Sequence, residues 1–595
     1  MHARHLLFCL LAGAALAACH REPTAPDTAA APAPMAPAAA DTQAPASAHT
    51  FNDDIDAGDF SELVKTLASD AFAGRGPGTP GGEKSVEYIK AQFERIGLQP
   101  GNNGAWFQDV PMTETTADES TALTLDVAGK TSVLAFGDDM VIGTRSGESD
   151  VKVQDSPLVF VGYGVDAPEL GWNDYAGVDV KGKTVVILVN DPGFHANDDA
   201  LFEGKRMTYY GRWTYKFEEA ARKGARAALI IHDTAGASYG WDVVRGSWSG
   251  AQYDLRAADD PAPRLPAQGW ITGEAAKTLF ADAGLDLDAM YKAANKRGFK
   301  AVPMKAMVSF DLKSTISEKS SRNVIGVLPG TAKPDEAVVY MAHWDHLGQH
   351  DGEQTPDGKT DVIYNGAVDN ATGVAGIIEV AEKFARTTPA PGRSLVFVAV
   401  TLEESGLLGS QYYVAHPAFP LDKTVGVINI DAMGVYGRSH DLVVVGKGNS
   451  ELEDLLKAQT DKQGRTLEQE STPESGFYFR SDHFNFAKAG VPALYTESGE
   501  DLVEGGRAAG EAAAKDYNAN RYHKPSDEYS DSWKLDGVVE DLQALYGVGR
   551  VLVDGDQWPN WYEGNAFRAA REKMMAGNGE GSNNGDRQEP KPDAN

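Results

Sequence analysis

Five short stretches in the second half of this 595-residue chain carry the residues able to do chemistry: VVYMAHWDHLG, NGAVDNATG, VAVTLEESG, VINIDAMG and RYHKPSDE. His343, Asp345 and His346 follow the apolar run Val338, Val339, Tyr340 and Met341. Glu403 and Glu404 follow Leu395 to Leu402, and Asp431 follows Val425 to Ile430. Short apolar runs bounded by polar residues read as fully buried strands. The acidic and imidazole groups therefore leave three strands at their C-terminal ends, where open α/β sheets bind ligands. Two imidazoles and several carboxylates converging there describe a zinc site more readily than a packing motif. Two zinc ions roughly 3.5–4 Å apart share a bridging carboxylate, and each takes one imidazole and one carboxylate of its own. That needs two histidines and three acids, which these stretches contain.

The elements that must position these groups can be read from periodicity. FSELVKTLASDAF reads as an amphipathic helix, and a second helix is expected from about Glu83 to Ile96, with Gly97 as its C-cap. GRGPGTPGGE between them reads as turns and lacks the context of a phosphate-binding loop. From 112 to 315 short β-like runs dominate, with a helix at Phe217–Ala225. Beyond Arg322, strands alternate with helices, including the apolar face Val374, Ile377, Ile378, Ala381 and Phe384. This alternation implies an α/β fold with a mainly parallel mixed sheet and helices on both faces. The expected organisation is a leader at 1–18, an Ala/Pro-rich linker at 19–52 and a first catalytic segment at 53–111. A β-rich α+β insertion at 112–315, the metal-bearing segment at 316–575 and a disordered tail at 576–595 follow.

The formal net charge of −31 argues against nucleic-acid binding, which needs a basic footprint. The only cysteines are Cys9 and Cys19, so no disulfide is expected in the folded body. His2, Arg4 and His5 precede the apolar run Leu6 to Ala18, which ends in LAAC. This resembles the lipobox of a bacterial lipoprotein. The resemblance implies lipidation of Cys19, membrane attachment through that lipid alone, and a place in the cell envelope, at the outer membrane facing the periplasm; the alternative is an ordinary secretory signal cleaved near Ala18, with the protein extracellular.

LASDAFAGRGPGTPGGE, AHWDHLG, NGAVDNATGVA, EESGLLGS, NIDAMG, FRSDHFNFAKAGVPAL and YHKPSD together resemble the co-catalytic di-zinc aminopeptidases, the twenty-eighth metallopeptidase family. LVFVGYGVDAPELGWNDYAGVDVKGKTVVIL and AARKGARAALIIHD resemble the protease-associated domain, so the insertion is expected to be such a domain. The resemblance implies an exopeptidase acting on peptides with two Zn²⁺ per chain. His343 and Asp431 would hold the first ion, His523 and Glu404 the second, with Asp369 bridging. Asp345 would orient His343, Glu403 would be the general base, and Tyr522 would donate to the oxyanion. His346 is left outside the ligand set, as are His195, His232 and His440. Asp482 and His483 are expected near the pocket in a structural or substrate-facing role. A glutamate carboxypeptidase or dipeptidase shares this fold and would need a basic pocket, for which Arg206, Arg212, Arg480 and Arg521 are candidates. A single-zinc glutaminyl cyclase and a non-catalytic binding protein are the further alternatives.

Overall fold

The structure, a computed structural model, describes residues 49–580 except 197, 261 and 355–359. The leader, Cys19 and most of the linker lie outside the described residues, as does the tail beyond 580. Among the described residues no helix is long and apolar enough to cross a membrane.

The sheet that carries the site includes β1 (Val302–Leu328), β2 (Lys333–His343), β3 (Arg393–Val400), β4 (Thr424–Ile430), β5 (Asp441–Val444), β6 (Thr466–Gln469) and β7 (Ala493–Ser498). Their spatial order is β1-β3-β2-β4-β7-β5-β6; β3, β2, β4 and β7 run parallel to one another, while β1 is antiparallel to β3 and β5 antiparallel to β7. β2, β3 and β4 are buried on both faces over their central residues. That explains why their sequences are continuous apolar runs with no alternation. Register then fixes the site's rim. His343 pairs with Val400, and Met341 with Asn429, so His343 and Asp431 end adjacent strands at one level.

Three helices pack near these strands: α1 (Ala57–Leu67), α2 (Pro80–Ile96) and α3 (Thr372–Arg386). α1 starts earlier than expected because the Asp56 carboxylate caps it, accepting from Gly58 and Asp59. α2 likewise starts at Pro80, before Glu83, because Thr79 accepts from Gly82 and proline suits the first helical turn. Gly97 closes it in the left-handed conformation, φ 93°. Gly373 lets the start of α3 meet β4 closely, since a Cβ there would come within 2.4 Å of the Ile430 carbonyl oxygen. The final helix runs Arg568–Glu580, across the start of the expected tail.

Residues 122–313 contribute a second sheet. Its order is Lys130–Ala135, Ala122–Val127, the first half of β1, Asp150–Phe160, Thr184–Leu188, Ala227–Ile231, Ala267–Ile271 and Met140–Gly143. Alternate residues of its central strands enter two cores. Val186, Leu188, Leu229 and Ile231 face one side; Val185, Ile187, Ala228 and Ile230 face the other. β1 serves both sheets: it pairs with Asp150–Phe160 up to Lys313 and with Phe107–Ala117 from Ser314, running through the expected boundary at 315.

Arg75, in the turn between α1 and α2, ties the front of the molecule to the site. It is fully buried and donates to the carbonyls of Leu67, Trp344, Asn365 and Gly366. Two of these carbonyls flank the loop that precedes Asp369, and a third lies beside His343 and Asp345. Burial pulls its guanidinium down to about 10, while Asp369, Asp527, Asp345 and Glu404 oppose that shift. Arg75→Met removes this donor from four carbonyls, of which Gly366 keeps the Ala371 N–H, and should destabilise the protein by about 3 kcal/mol or more. Urea unfolding of the protein without added metal measures this, and a loss below ~1 kcal/mol would mean the carbonyls find other partners.

Candidate metal centre

β2 ends on His343, and its two ring nitrogens are committed differently. Nδ1 donates to the Asp345 carbonyl at 3.1 Å. That leaves Nε2 with its lone pair toward Asp369 Oδ1, 3.2 Å away, and Asp431 Oδ1, 3.1 Å away. The expectation had placed the Asp345 carboxylate against Nδ1. In the structure that carboxylate is 3.9 Å away and instead accepts from the Glu403 backbone N–H at 3.3 Å. Two residues beyond the histidine, the chain turns so that its carbonyl is the nearer oxygen. Asp345 therefore orients the imidazole through its main chain and anchors the Glu403 loop through its side chain.

A second triad shares Asp369. His523 Nε2 lies 3.2 Å from Asp369 Oδ2 and 3.0 Å from Glu404 Oε2. The expected ligand residues His343, Asp369, Glu404, Asp431 and His523 are thus all brought together, with one Asp369 oxygen facing each imidazole. His346 joins them more closely than its omission implied. With Asp369 and Glu404 it also forms a group able to hold an ion. Its Nδ1, however, is 2.6 Å from Glu404 Oε1. Two ligands at about 2.0–2.2 Å from one tetrahedral ion sit ~3.3 Å apart. The 2.6 Å separation is a hydrogen-bond length, whereas the 3.0–3.2 Å separations of His523 suit ligands.

Surrounding residues hold these groups in place. Ser481 Oγ donates to Asp431 Oδ2 at 2.6 Å and accepts from Asn429 at 2.7 Å. The Asp527 carboxylate accepts from the backbone N–H groups of Val368 and Asp369, at 3.1 and 3.0 Å. Asn370 Oδ1 accepts from Gly373 and Ala432, linking the loops of Asp369 and Asp431. Sequence reading assigned no role to Ser481, Asp527, Asn370 or Arg75, although each lies within a quoted stretch. Most of their partners lie far away along the chain, side chains for Ser481 and backbone groups for the others, which residue type does not reveal.

Glu403 is half-buried beside the triads. Tyr522 is 42% exposed and its ring stacks on His523 at 3.9 Å. Asp482 accepts from Ser410 Oγ. His483 packs edge-on against Tyr478, and burial pushes it down to about 3. His195 pairs with Asp233, His232 Nε2 contacts the Tyr239 carbonyl, and His440 is exposed.

The donor set passes a test for divalent ions on charge as well as geometry. Six carboxyl groups, Asp345, Asp369, Glu403, Glu404, Asp431 and Asp482, crowd three imidazoles. Burial first, and then Glu404 among other acids, pushes Asp345 and Asp482 up to about 7 and Glu403 well above its usual range. Asp369 is held well below its usual range in spite of burial, because His343 and His523 face its two oxygens. Such crowding of negative charge is what a bound cation offsets.

An aminopeptidase from Aneurinibacillus sp. strain AM-1 is similar over 85% of this chain and 95% of its own, at 22% identity and a TM-score of 0.46, a level that carries no weight for the fold. Among curated proteins, Aminopeptidase NAALADL1 of Mus musculus is 28% identical over 134 residues, 22% of this chain and 16% of that protein. A probable zinc metalloprotease of Pyricularia oryzae is 34% identical over 112 residues, 19% of this chain and 21% of that protein. The chain thus spans less than a quarter of either relative. Residues 323–546, which contain every ligand candidate named above, match the family model described as Peptidase family M28.

Proposed function

We propose that this protein is a zinc-dependent aminopeptidase that hydrolyses the first peptide bond of substrates with a free N-terminus. The observation that carries this reading is the pair of imidazole–carboxylate triads joined through the two oxygens of Asp369. His343 and Asp431 would hold one zinc ion, His523 and Glu404 the other, and Asp369 both. Zinc bound there would polarise the scissile carbonyl and bring the pKa of water toward neutrality.

The chain's own residues supply the rest. Glu403 takes one proton from the attacking water as its oxygen bonds to the carbonyl carbon. It then delivers that proton to the amide nitrogen as the C–N bond breaks. The Asp345 carboxylate fixes the loop from which Glu403 acts, and the Asp345 carbonyl fixes His343. Tyr522, stacked on His523, donates to the oxyanion. The surplus of carboxylates draws the substrate's α-ammonium group. No covalent acyl-enzyme is required.

Glu403→Gln should lower kcat by roughly 100- to 10,000-fold while two zinc ions per chain remain bound. Stopped assays paired with metal analysis read both quantities, and an active Glu403→Gln protein would falsify the base assignment. Ser481→Ala frees one oxygen of Asp431 and should weaken zinc binding about 10- to 100-fold, as read by titration against a competing chelator. Unchanged affinity would mean Ser481 only fills space. Peptides with acetylated N-termini should resist cleavage that their free counterparts undergo, and chelation should stop turnover until zinc is returned. Equal cleavage of blocked and free peptides would turn the reading toward an endopeptidase or a carboxypeptidase.

A further inference from the structure

Asp431 and Glu404, the outer carboxylates of the two triads, are each divided between one oxygen that faces an imidazole and one that is held. In Asp431, Oδ1 lies 3.1 Å from His343 Nε2, while Oδ2 accepts from Ser481 Oγ at 2.6 Å. In Glu404, Oε2 lies 3.0 Å from His523 Nε2, while Oε1 lies 2.6 Å from His346 Nδ1. An ionised carboxylate only accepts, so the proton of this last contact is on Nδ1 and the imidazole is the donor. His346 stands to Glu404 as Ser481 stands to Asp431.

The ring is seated for that one contact. The His346 side chain is fully buried. Gly366, at φ 53°, makes room for it, since a Cβ there would come within 2.6 Å of the ring's Cγ and Cδ2. The His346 backbone N–H donates to the Arg75 carbonyl at 3.3 Å, and the Arg75 guanidinium donates to the Gly366 carbonyl at 2.8 Å. One arginine therefore fixes both the main chain of His346 and the glycine against which its ring lies. Nε2 is buried and has no hydrogen-bond partner among the described residues. A charged imidazole would bury a second N–H with nothing to receive it, so the neutral tautomer protonated on Nδ1 is the form that fits. In that form the ring donates without adding positive charge beside a cation site.

The terminal torsion of a glutamate is broad, so a carboxylate with no fixed donor offers either oxygen. Such a donor matters more in this triad than in the other. The His523 side chain is 36% exposed, against 1% for His343, so its triad has less packing to hold it. We infer that His346 is a positioning residue: it holds Oε1 of Glu404 and so assigns Oε2 to the ion that Glu404 shares with His523. His346 is not itself a ligand. The inference rests on the two-ion reading above and adds to it the group that orients Glu404.

The test uses the full chain and zinc titration against a competing chelator, which reads affinity without turnover. His346→Phe keeps a ring and removes the donor. His346→Asn is smaller but carries an amide N–H close to the place of Nδ1. His346→Phe should weaken one of the two zinc ions by roughly 10- to 100-fold and leave the other within about twofold. His346→Asn should bind that ion more tightly than His346→Phe does, although it fills the space less well. A role in packing alone predicts the reverse order, and a role as a ligand predicts equal loss in both variants. A His523→Ala background identifies the ion: the one zinc that remains should be indifferent to His346→Phe and still respond to Ser481→Ala. Thermal unfolding with zinc chelated reports whether each variant folds, and His346→Leu replaces His346→Phe if the latter does not. The role of His346 is overturned if both ions weaken together, if neither weakens, or if His346→Asn is no better than the variant without a donor. Two ions that respond as expected, in a chain that cleaves no peptide, would uphold it and overturn the hydrolase reading. A wild-type chain that holds a single zinc would overturn both.

Discussion

The Asp369 carboxylate stands between two imidazoles, one oxygen 3.2 Å from His343 and the other 3.2 Å from His523. Almost every other constraint near the centre serves that placement. β2 delivers His343 at a level set by strand register. A loop after a long helix delivers His523. Asp369 itself sits on a turn whose amides are held by Asp527 and whose carbonyls are held by Arg75. A buried acid and a buried base, contributed from opposite ends of the chain, clamp the donors and acceptors of one short segment. Each would be costly to bury alone; here each has several partners.

The backbone around the centre stores strain. Leu402, Ala432 and His523 have φ of 58°, 52° and 57°, a region that residues with a Cβ seldom occupy. Leu402 precedes Glu403, Ala432 follows Asp431, and His523 is itself a ligand candidate. Each such residue costs about 1–3 kcal/mol and persists only where its surroundings over-determine it. Asn370 does this for Ala432, whose N–H it accepts at 3.0 Å. Strain at three of the positions that aim the site is a cost of directing side chains inward from strand ends.

Much of the site was legible because it obeys strand periodicity. The runs before His343, Glu403 and Asp431 read as buried strands, and parallel strands present their ends together. Asp369 and His523 were not legible that way. They follow no strand, and only family resemblance put them with the others. The supporting residues were less legible still. Arg75 sits in a glycine-rich turn that reads as a connector, and Gly74 beside it would place a Cβ 2.3 Å from the Gly348 carbonyl oxygen. Nothing local says that its side chain crosses some 270 residues of sequence to reach Trp344. Asp345 shows a subtler limit. Its spacing from His343 was right for a partner, but spacing does not say whether side chain or main chain makes the bond.

β1 is one unbroken strand of 27 residues laced into both sheets. To swing the second sheet away, the chain would have to crease between Lys313 and Ser314. It would also have to give up the bonds from Glu218 to Lys488, from Gln411 to Asp260 and from Met207 to Pro473. The sheet is thus a fixed jamb rather than a swinging door. Whatever it recognises is sorted at the threshold by a shape that exists before the guest arrives, and little of the binding free energy is spent on closing around it.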